Sequence, residues 1–152
     1  MIEGNTQTMN TPGERRPPGW LKLANRLNIA LLRRGIGPAT QRVLTIPGRT
    51  TGLPRTTPIA TIAFDGGLYI VAGYPSSDWV KNARAAGSGT LSRGSVTTPV
   101  SLVEIPVTDR VPILREFLRT TRGGRSFLTV GSRATDAEFA AAANAHPIFR
   151  VG

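Results

Sequence analysis

The first regular pattern in the chain is helical. Between Trp20 and Arg34 the apolar residues recur every three or four positions, and cationic residues fall on the opposite side. The apolar positions are Trp20, Leu23, Ala24, Leu27 and Leu31, and the cationic ones are Lys22, Arg26 and Arg33. This stripe predicts a helix over residues 20–34 whose apolar side packs on the core. A helix lying on an anionic membrane surface is the alternative.

After residue 40 short apolar and β-branched segments alternate with turn residues, which predicts a series of strands. The predicted strands are residues 41–46, 58–64, 68–72, 90–93, 96–105, 125–130 and 148–151. Asp65-Gly66 and Gly94 are predicted to form hairpin turns, because such turns need residues that tolerate a positive φ.

Three further helices are predicted between these strands. The first covers residues 79–86, with Asp78 as its cap and Gly87 at its end. The second runs from residue 108 or 109 to 120, and an Ala-rich third follows the Thr135–Glu138 capping box. About six strands, an N-terminal helix, a short crossover helix and C-terminal helices predict a mainly β (α+β) barrel. We expect one domain over residues 19–152 after a disordered lead of residues 1–18.

The composition argues against most kinds of catalytic site that depend on protein side chains. The 152 residues include no cysteine and one histidine, His146, which we interpret as a helix-end residue rather than a proton donor. The nine acidic residues are scattered, so no metal site and no catalytic carboxylate pair stands out. An enzyme with so few catalytic side chains depends on a bound cofactor. The polar N-terminus resembles no signal peptide, and a cytoplasmic location is expected.

The net charge of +10 favours anionic ligands, although a GC-rich genome, which raises the abundance of arginine, accounts for it equally well. Nucleic acid is disfavoured as a partner, because aromatic residues make up only 6% of the chain and do not interleave with basic ones. A small-molecule ligand is therefore expected.

One segment, residues 48–58 with the sequence GRTTGLPRTTP, combines the parts of an anion site. Its two glycines permit a tight turn and a close approach of the backbone to a ligand. Its two arginines and four threonines offer hydrogen-bond donors for a phosphate or carboxylate. A basic hairpin turn with solvated arginines is the other interpretation of composition alone.

The order of these residues resembles the signature of the deazaflavin-dependent nitroreductase and quinone reductase family. A second segment, Asp78-Trp79-Val80-Lys81-Asn82-Ala83-Arg84-Ala85, is similar to a segment that follows in that family. The resemblance covers about residues 44–105. It implies a split β-barrel of the FMN-binding-like type, coenzyme F420 as cofactor, and hydride transfer from the reduced deazaflavin to an organic acceptor.

The resemblance also implies which residues hold the cofactor. Those expected around its anionic linker and tail are Arg49, Thr50, Thr51, Arg55, Thr56, Thr57 and Pro58. Those expected to flank the deazaflavin ring are Val71, Ala72, Gly73, Tyr74, Asp78, Trp79, Val80, Lys81 and Asn82. No catalytic side chain is implied, and Tyr74 and Ser76 are candidates on the acceptor side. Phe139 is proposed to form part of the acceptor wall.

Three departures leave the acceptor open among quinone-like, nitro and unsaturated apolar compounds. Thr50 stands where the family commonly has lysine, Val80 replaces an aromatic residue, and the C-terminal third lacks a tyrosine-rich wall. The alternatives are an FMN- or haem-dependent relative and a non-catalytic carrier of cofactor or lipid. Both a monomer and a homodimer are compatible with the sequence.

Overall fold

The barrel is the central feature of the computed structural model, which describes residues 17–121, 128–131 and 133–152. Its strands are β1 (Gln41–Pro47), β2 (Pro54–Phe64), β3 (Gly67–Val71), β4 (Ser88–Arg93), β5 (Val96–Glu104) and β6 (Ile148–Val151). They close in the order β1-β2-β3-β6-β5-β4, and all neighbours are antiparallel. The predicted α+β barrel of about six strands is confirmed.

In the part of the chain that the structure describes, four α-helices surround the barrel. They are α1 (Leu21–Arg33), α2 (Asp78–Ala86), α3 (Val111–Thr120) and α4 (Asp136–Ala143), with one turn of 3-10 helix at Val107–Asp109. The capping box that opens α4 is confirmed, since Glu138 N–H donates to Thr135 Oγ1 and Thr135 N–H donates to Glu138 Oε2. Gly87 ends α2 in the left-handed conformation, as predicted.

Four predictions about these elements need correction. β2 begins at Pro54, so the second half of the anion segment is strand. Asp78 is the first residue of α2 and does not cap it. The 3-10 turn precedes α3, which begins at Val111. The strand predicted over residues 125–130 is wrong at residues 128–130, which form bends, and residues 125–127 lie outside the described part. Most of the predicted lead, residues 1–16, also lies outside it.

Two cores stabilise the fold, one on each face of the strands. The barrel interior is filled by side chains from all six strands and from Val80 and Ala83 of α2. The second core lies between the outer face of the sheet and helices α3 and α4, around Leu114, Phe139 and Ile148. Each fully buried aliphatic or aromatic side chain of this size contributes about 1.5–3 kcal/mol.

Helix α1 packs on β1 and β2 in an orientation opposite to the predicted one. The stripe that we expected to be buried faces solvent, with Trp20, Leu23 and Leu27 exposed by 69%, 73% and 65%. The inner side instead carries Leu21, Asn25, Asn28 and the fully buried Leu32.

Polar contacts explain this orientation of α1. Asn28 Nδ2 donates to Gln41 Oε1 at 3.3 Å, and the N–H of Gly94 donates to the carbonyl of Leu32 at 2.9 Å. The guanidinium of Arg93 donates to the carbonyls of Gly35 and Gly37 just after the helix. These contacts come from residues distant in sequence, so the apolar period alone could not select the inner side. Among the described residues, no helix has the length and apolar character needed to cross a bilayer.

Candidate cofactor and acceptor site

An elongated cleft of about 940 Å³ runs along the hairpin of β1 and β2. At one end lie the loop of residues 48–53 and helix α2, and at the other end lie α1 and the C-terminal part of α3. Its apolar lining includes Ile46, Ile59, Val71 and Trp79. A concave, largely apolar space with a polar end of this size is typical of small-molecule and cofactor sites.

The loop at the polar end is a tight turn with unused donors. Gly48 N–H donates to the carbonyl of Leu53, and Gly52 N–H to that of Gly48, both at 2.8 Å. A Cβ added at Gly48 would lie 3.3 Å from the carbonyl oxygen of Leu53, and Gly52 has a φ of +72°. In the described part of the chain, the N–H groups of Thr50 and Thr51 make no hydrogen bond. Free N–H groups in such a turn form a concavity that attracts anions.

Arg49 joins the two segments that carried the family resemblance. Its backbone N–H and its guanidinium donate to Asn82 Oδ1 at 3.1 and 2.8 Å, and its guanidinium pairs with Asp78 Oδ1 at 3.1 Å. Asn82 is only 3% exposed. A buried amide oxygen that accepts both donors fixes the loop against α2. Most of Arg49's donor capacity therefore serves the protein itself.

Arg55 is differently placed. It lies on β2 opposite Ile46, borders the cleft and is exposed. Within the described residues, no hydrogen bond or ion pair involves its side chain. Of the two arginines in residues 48–58, Arg55 is therefore the one whose guanidinium remains fully available to an anionic ligand.

Trp79 is both a core residue and a wall of the cleft. It is partly buried, and its ring meets that of Phe149 with centroids 5.6 Å apart and planes tilted by 54°. Its remaining surface borders the cleft beside Val71 and Tyr74. This side is aromatic and aliphatic, so it suits a flat apolar ring.

The structure brings most of the predicted site residues to this cleft. Those that border it are Arg49, Thr50, Thr51, Arg55, Thr56, Thr57, Pro58, Val71, Gly73, Tyr74, Asp78, Trp79 and Asn82. Four others do not border it. Ala72 and Val80 are buried in the barrel core, Lys81 is exposed and Ser76 is half-buried.

The far end of the cleft was missed by sequence reasoning. Its lining residues are Leu21, Lys22, Asn25 and Asn28 of α1, Gln41 of β1, and Phe117 and Thr121 at the end of α3. A signal was present, because Leu21, Asn25, Asn28 and Leu32 form a second helical stripe, i, i+4, i+7, i+11, beside the more apolar one. Its two asparagines made it the weaker candidate for a buried face.

His146, which we did not expect to act as a proton donor, and Phe139, which we proposed for the acceptor wall, both lie outside the cleft. His146 is fully buried, with Nε2 accepting from the N–H of Thr129 at 3.0 Å and Nδ1 lying 3.0 Å from the carbonyl of Ala72. Phe139 was wrongly proposed as part of the acceptor wall, because it is buried in the second core and Arg115 covers its ring.

A charged triad on the other side of α2 fixes this helix to the barrel. Glu104 accepts from Arg84 at 2.7 and 2.8 Å and from Arg110 at 3.1 Å. The hydrogen bonds from Arg84 are the largest cause that lowers the pKa of Glu104. Burial is the largest cause that lowers the pKa of Arg110, whose guanidinium also donates to the carbonyls of Ile105 and Ala143.

The closed six-stranded antiparallel barrel is the architecture of the flavin and deazaflavin reductases. Within that class the chain belongs to the F420H2-dependent quinone reductase family, whose sequence model matches residues 26–124, more than half of the chain. Membership makes the protein an oxidoreductase and coenzyme F420 its cofactor.

Solved structures support the fold. A protein described as a domain-swapped dimer is 17% identical, covers 88% of this chain and 97% of its own, and has a TM-score of 0.55. An F420-H2 dependent reductase, FDR-A, is 19% identical over 75% of this chain and 95% of its own, with a TM-score of 0.52. No curated protein matches the sequence.

A third structure has the same fold. It is a candidate 5-nitroimidazole antibiotic resistance protein from Bacteroides thetaiotaomicron, 12% identical over 84% of this chain and 78% of its own, with a TM-score of 0.53. At these identities the three similarities establish the architecture only.

Proposed function

We propose that the protein binds reduced F420 along the cleft and passes a hydride to a quinone-like acceptor. The observation that carries this proposal is that a polar, cationic surface and an apolar surface meet in the same cleft. At one end lie N–H groups and the cation of Arg55, which have no partner among the described residues, and the apolar side formed by Val71 and Trp79 continues from it. A molecule with an anionic tail and a flat ring matches both surfaces at once.

The residues present suit this cofactor. The turn at residues 48–53 leaves two N–H donors for phosphate or carboxylate oxygens, and Arg55 supplies a charged donor. Each charged hydrogen bond contributes on the order of 1.5–3 kcal/mol. Thr56 and Thr57 add hydroxyl groups along β2. In this proposal Arg49 holds the loop, while Arg55 and the N–H groups hold the anion.

Reduced F420 supplies the hydride when it is bound. The chain's own residues orient the reactants and exclude water from the site. Trp79, Val71 and Ile59 exclude water from one side of the ring site, so the reacting atoms meet in a preorganised space. An acid or base from the protein is not required, because a quinone takes up its proton from water. The scarcity of catalytic side chains is consistent with a reaction in which the cofactor supplies the chemistry and the protein supplies the binding site.

The test is a turnover assay with purified protein and F420H2, followed by absorbance. The acceptors are a naphthoquinone, a nitroimidazole and a cyclic enone at equal concentrations. We expect the quinone to be reduced fastest. Reduction of the nitro compound alone would contradict the quinone assignment, and no turnover with bound F420H2 would favour the carrier hypothesis.

We further propose that α1 rests on an anionic membrane surface. Its outward stripe of Trp20, Leu23 and Leu27 is exposed, and the helix carries Lys22, Arg26 and Arg33 with no acidic residue. An exposed apolar stripe can insert at the boundary of the lipid tails, and the cations elsewhere on the same helix favour anionic headgroups. A lipid-borne quinone would then reach the cleft from the side that α1 lines. Whether the protein is a monomer or a homodimer stays a prediction.

A further inference from the structure

The cleft is longer than the part assigned to the cofactor, and its far end has a chemistry of its own. There Asn25, Asn28 and Gln41 present three carboxamides, all half-buried, between α1 and the outer face of β2. Leu21 and Phe117 form apolar walls beside them. This end was not part of the site that the family resemblance implies.

Most of the hydrogen-bonding capacity of these carboxamides is unused. Asn28 Nδ2 donates to Gln41 Oε1 at 3.3 Å, which leaves Gln41 Nε2 and Asn28 Oδ1 without another partner among the described residues. The side chain of Asn25 makes no hydrogen bond with any described residue. Half-buried polar groups without partners are costly unless water or a ligand pairs with them.

The charge of this end differs from that of the loop. Among the described residues that line it, Lys22 is the only ionisable one, and it is exposed. A neutral ligand is therefore better matched here than an anionic one, and the walls favour a compact ring. Carboxamides both donate and accept, so they pair with a carbonyl oxygen and equally with a hydroxyl.

We propose that Asn25 and Gln41 form the acceptor subsite and bind the oxygen of a neutral cyclic carbonyl compound. This inference rests on the proposed function. Reduction of such a quinone adds one hydride from F420H2 and one proton from water, which turns its two carbonyls into the two hydroxyls of a hydroquinone, while F420H2 loses the hydride and a proton and becomes F420. The same amides pair with both states, so they hold substrate and product without a change of protonation.

The experiment compares Asn25→Leu, Gln41→Leu and wild type in naphthoquinone reduction by F420H2. Loss of a hydrogen bond from a half-buried amide is expected to raise the quinone KM about tenfold. The dissociation constant of F420, measured by its fluorescence without acceptor, is expected to stay unchanged. Asn25→Gln, which keeps the amide, should retain a KM near that of wild type.

Asn144→Leu is the matched control, because Asn144 is an exposed asparagine at the end of α4 and outside the cleft. An unchanged quinone KM in both leucine variants would overturn the inference. A weaker F420 affinity in these variants would also overturn it, because the far end would then hold the cofactor. Wild-type protein that fails to bind F420 would instead refute the proposed function.

Discussion

Asn82 is the residue on which the geometry of the anion loop depends most. Its buried Oδ1 accepts two hydrogen bonds from Arg49, one from the backbone and one from the side chain. Without that acceptor, a backbone N–H and a guanidinium lose their shared partner, and the loop is no longer held against α2. Asn82 therefore affects ligand binding by holding the loop, even where it makes no contact with the ligand.

We expect Asn82→Ala to weaken F420 binding about tenfold and to lower the free energy of unfolding by about 1–3 kcal/mol. Fluorescence titration and chemical denaturation measure the two effects. Asn144→Ala, at an exposed site remote from the cleft, should change neither. Unaltered F420 affinity in a destabilised Asn82→Ala protein would show that the residue stabilises the fold without organising the site.

At this scale the sequence predicted residue identities better than residue roles. The order of glycines and arginines in residues 48–58 was enough to identify a segment that borders the cleft. Whether Arg49 or Arg55 faces the ligand depends on Asp78 and Asn82, about thirty residues away in sequence. A contact of that range has no local signal, so the two arginines could not be distinguished before the structure.

Helix α2 owes its position to the triad of Arg84, Glu104 and Arg110 as much as to its apolar side. The pKa of Glu104 is lowered in the folded protein, chiefly by the hydrogen bonds from Arg84. A carboxyl group of this kind favours the folded state at pH values above its ordinary pKa of about 4.5. That contribution disappears as the pH falls through the lowered folded value.

Glu104→Gln should therefore destabilise the protein by about 1–3 kcal/mol at pH 7, because the buried guanidinium of Arg110 loses its counter-ion. The difference from wild type should shrink as the pH falls below about 4.5. Urea denaturation at several pH values measures it. Glu116→Gln, which breaks a pair within α3, is the control and should show a small effect. A difference that does not change with pH would contradict this account.

For helix α1, the apolar periodicity predicted the wrong buried side. Two stripes compete on this helix, and the more apolar one, Trp20 to Leu31, was expected inside. Asn28 and the carbonyls at the helix end find partners on β1 and in Arg93, and these long-range contacts select the other side. The strands were easier to predict, because alternation and turn residues such as Asp65-Gly66 are local signals.

The exposed stripe leads to a prediction about lipid. We expect wild-type protein to co-sediment with vesicles containing phosphatidylglycerol and to leave phosphatidylcholine vesicles unbound. Leu23→Ser with Leu27→Ser should abolish binding, because the apolar area that inserts is lost. Val103→Ser, which removes an exposed apolar side chain on β5, is the control. Equal recovery with both vesicle types would refute the membrane proposal, and a stripe-dependent dimer without lipid binding would assign the stripe to a second copy.

In the whole molecule, the residues that stabilise the barrel and the residues that line the cleft lie in different places. The interior and the second core hold the fold, while the cleft runs along the hairpin of β1 and β2 with α2 at one end and α1 at the other. This arrangement brings the proposed anion loop, the proposed ring wall and the carboxamide end to one cleft. The barrel could be predicted from strand number and family resemblance. The full length of the cleft could not, because it depends on how α1 and α3 pack across β2.

In the proposed function, this cleft holds F420 by its anionic part through Arg55 and the loop. Fluorescence titration with F420 tests it directly, using wild type, Arg55→Ala and the exposed control Arg150→Ala, with FMN as competitor. We predict that wild type and Arg150→Ala bind F420 alike, that FMN competes poorly, and that Arg55→Ala binds about ten- to a hundredfold more weakly. Normal F420 binding by Arg55→Ala, or tight FMN binding by a protein that does not bind F420, would contradict the account.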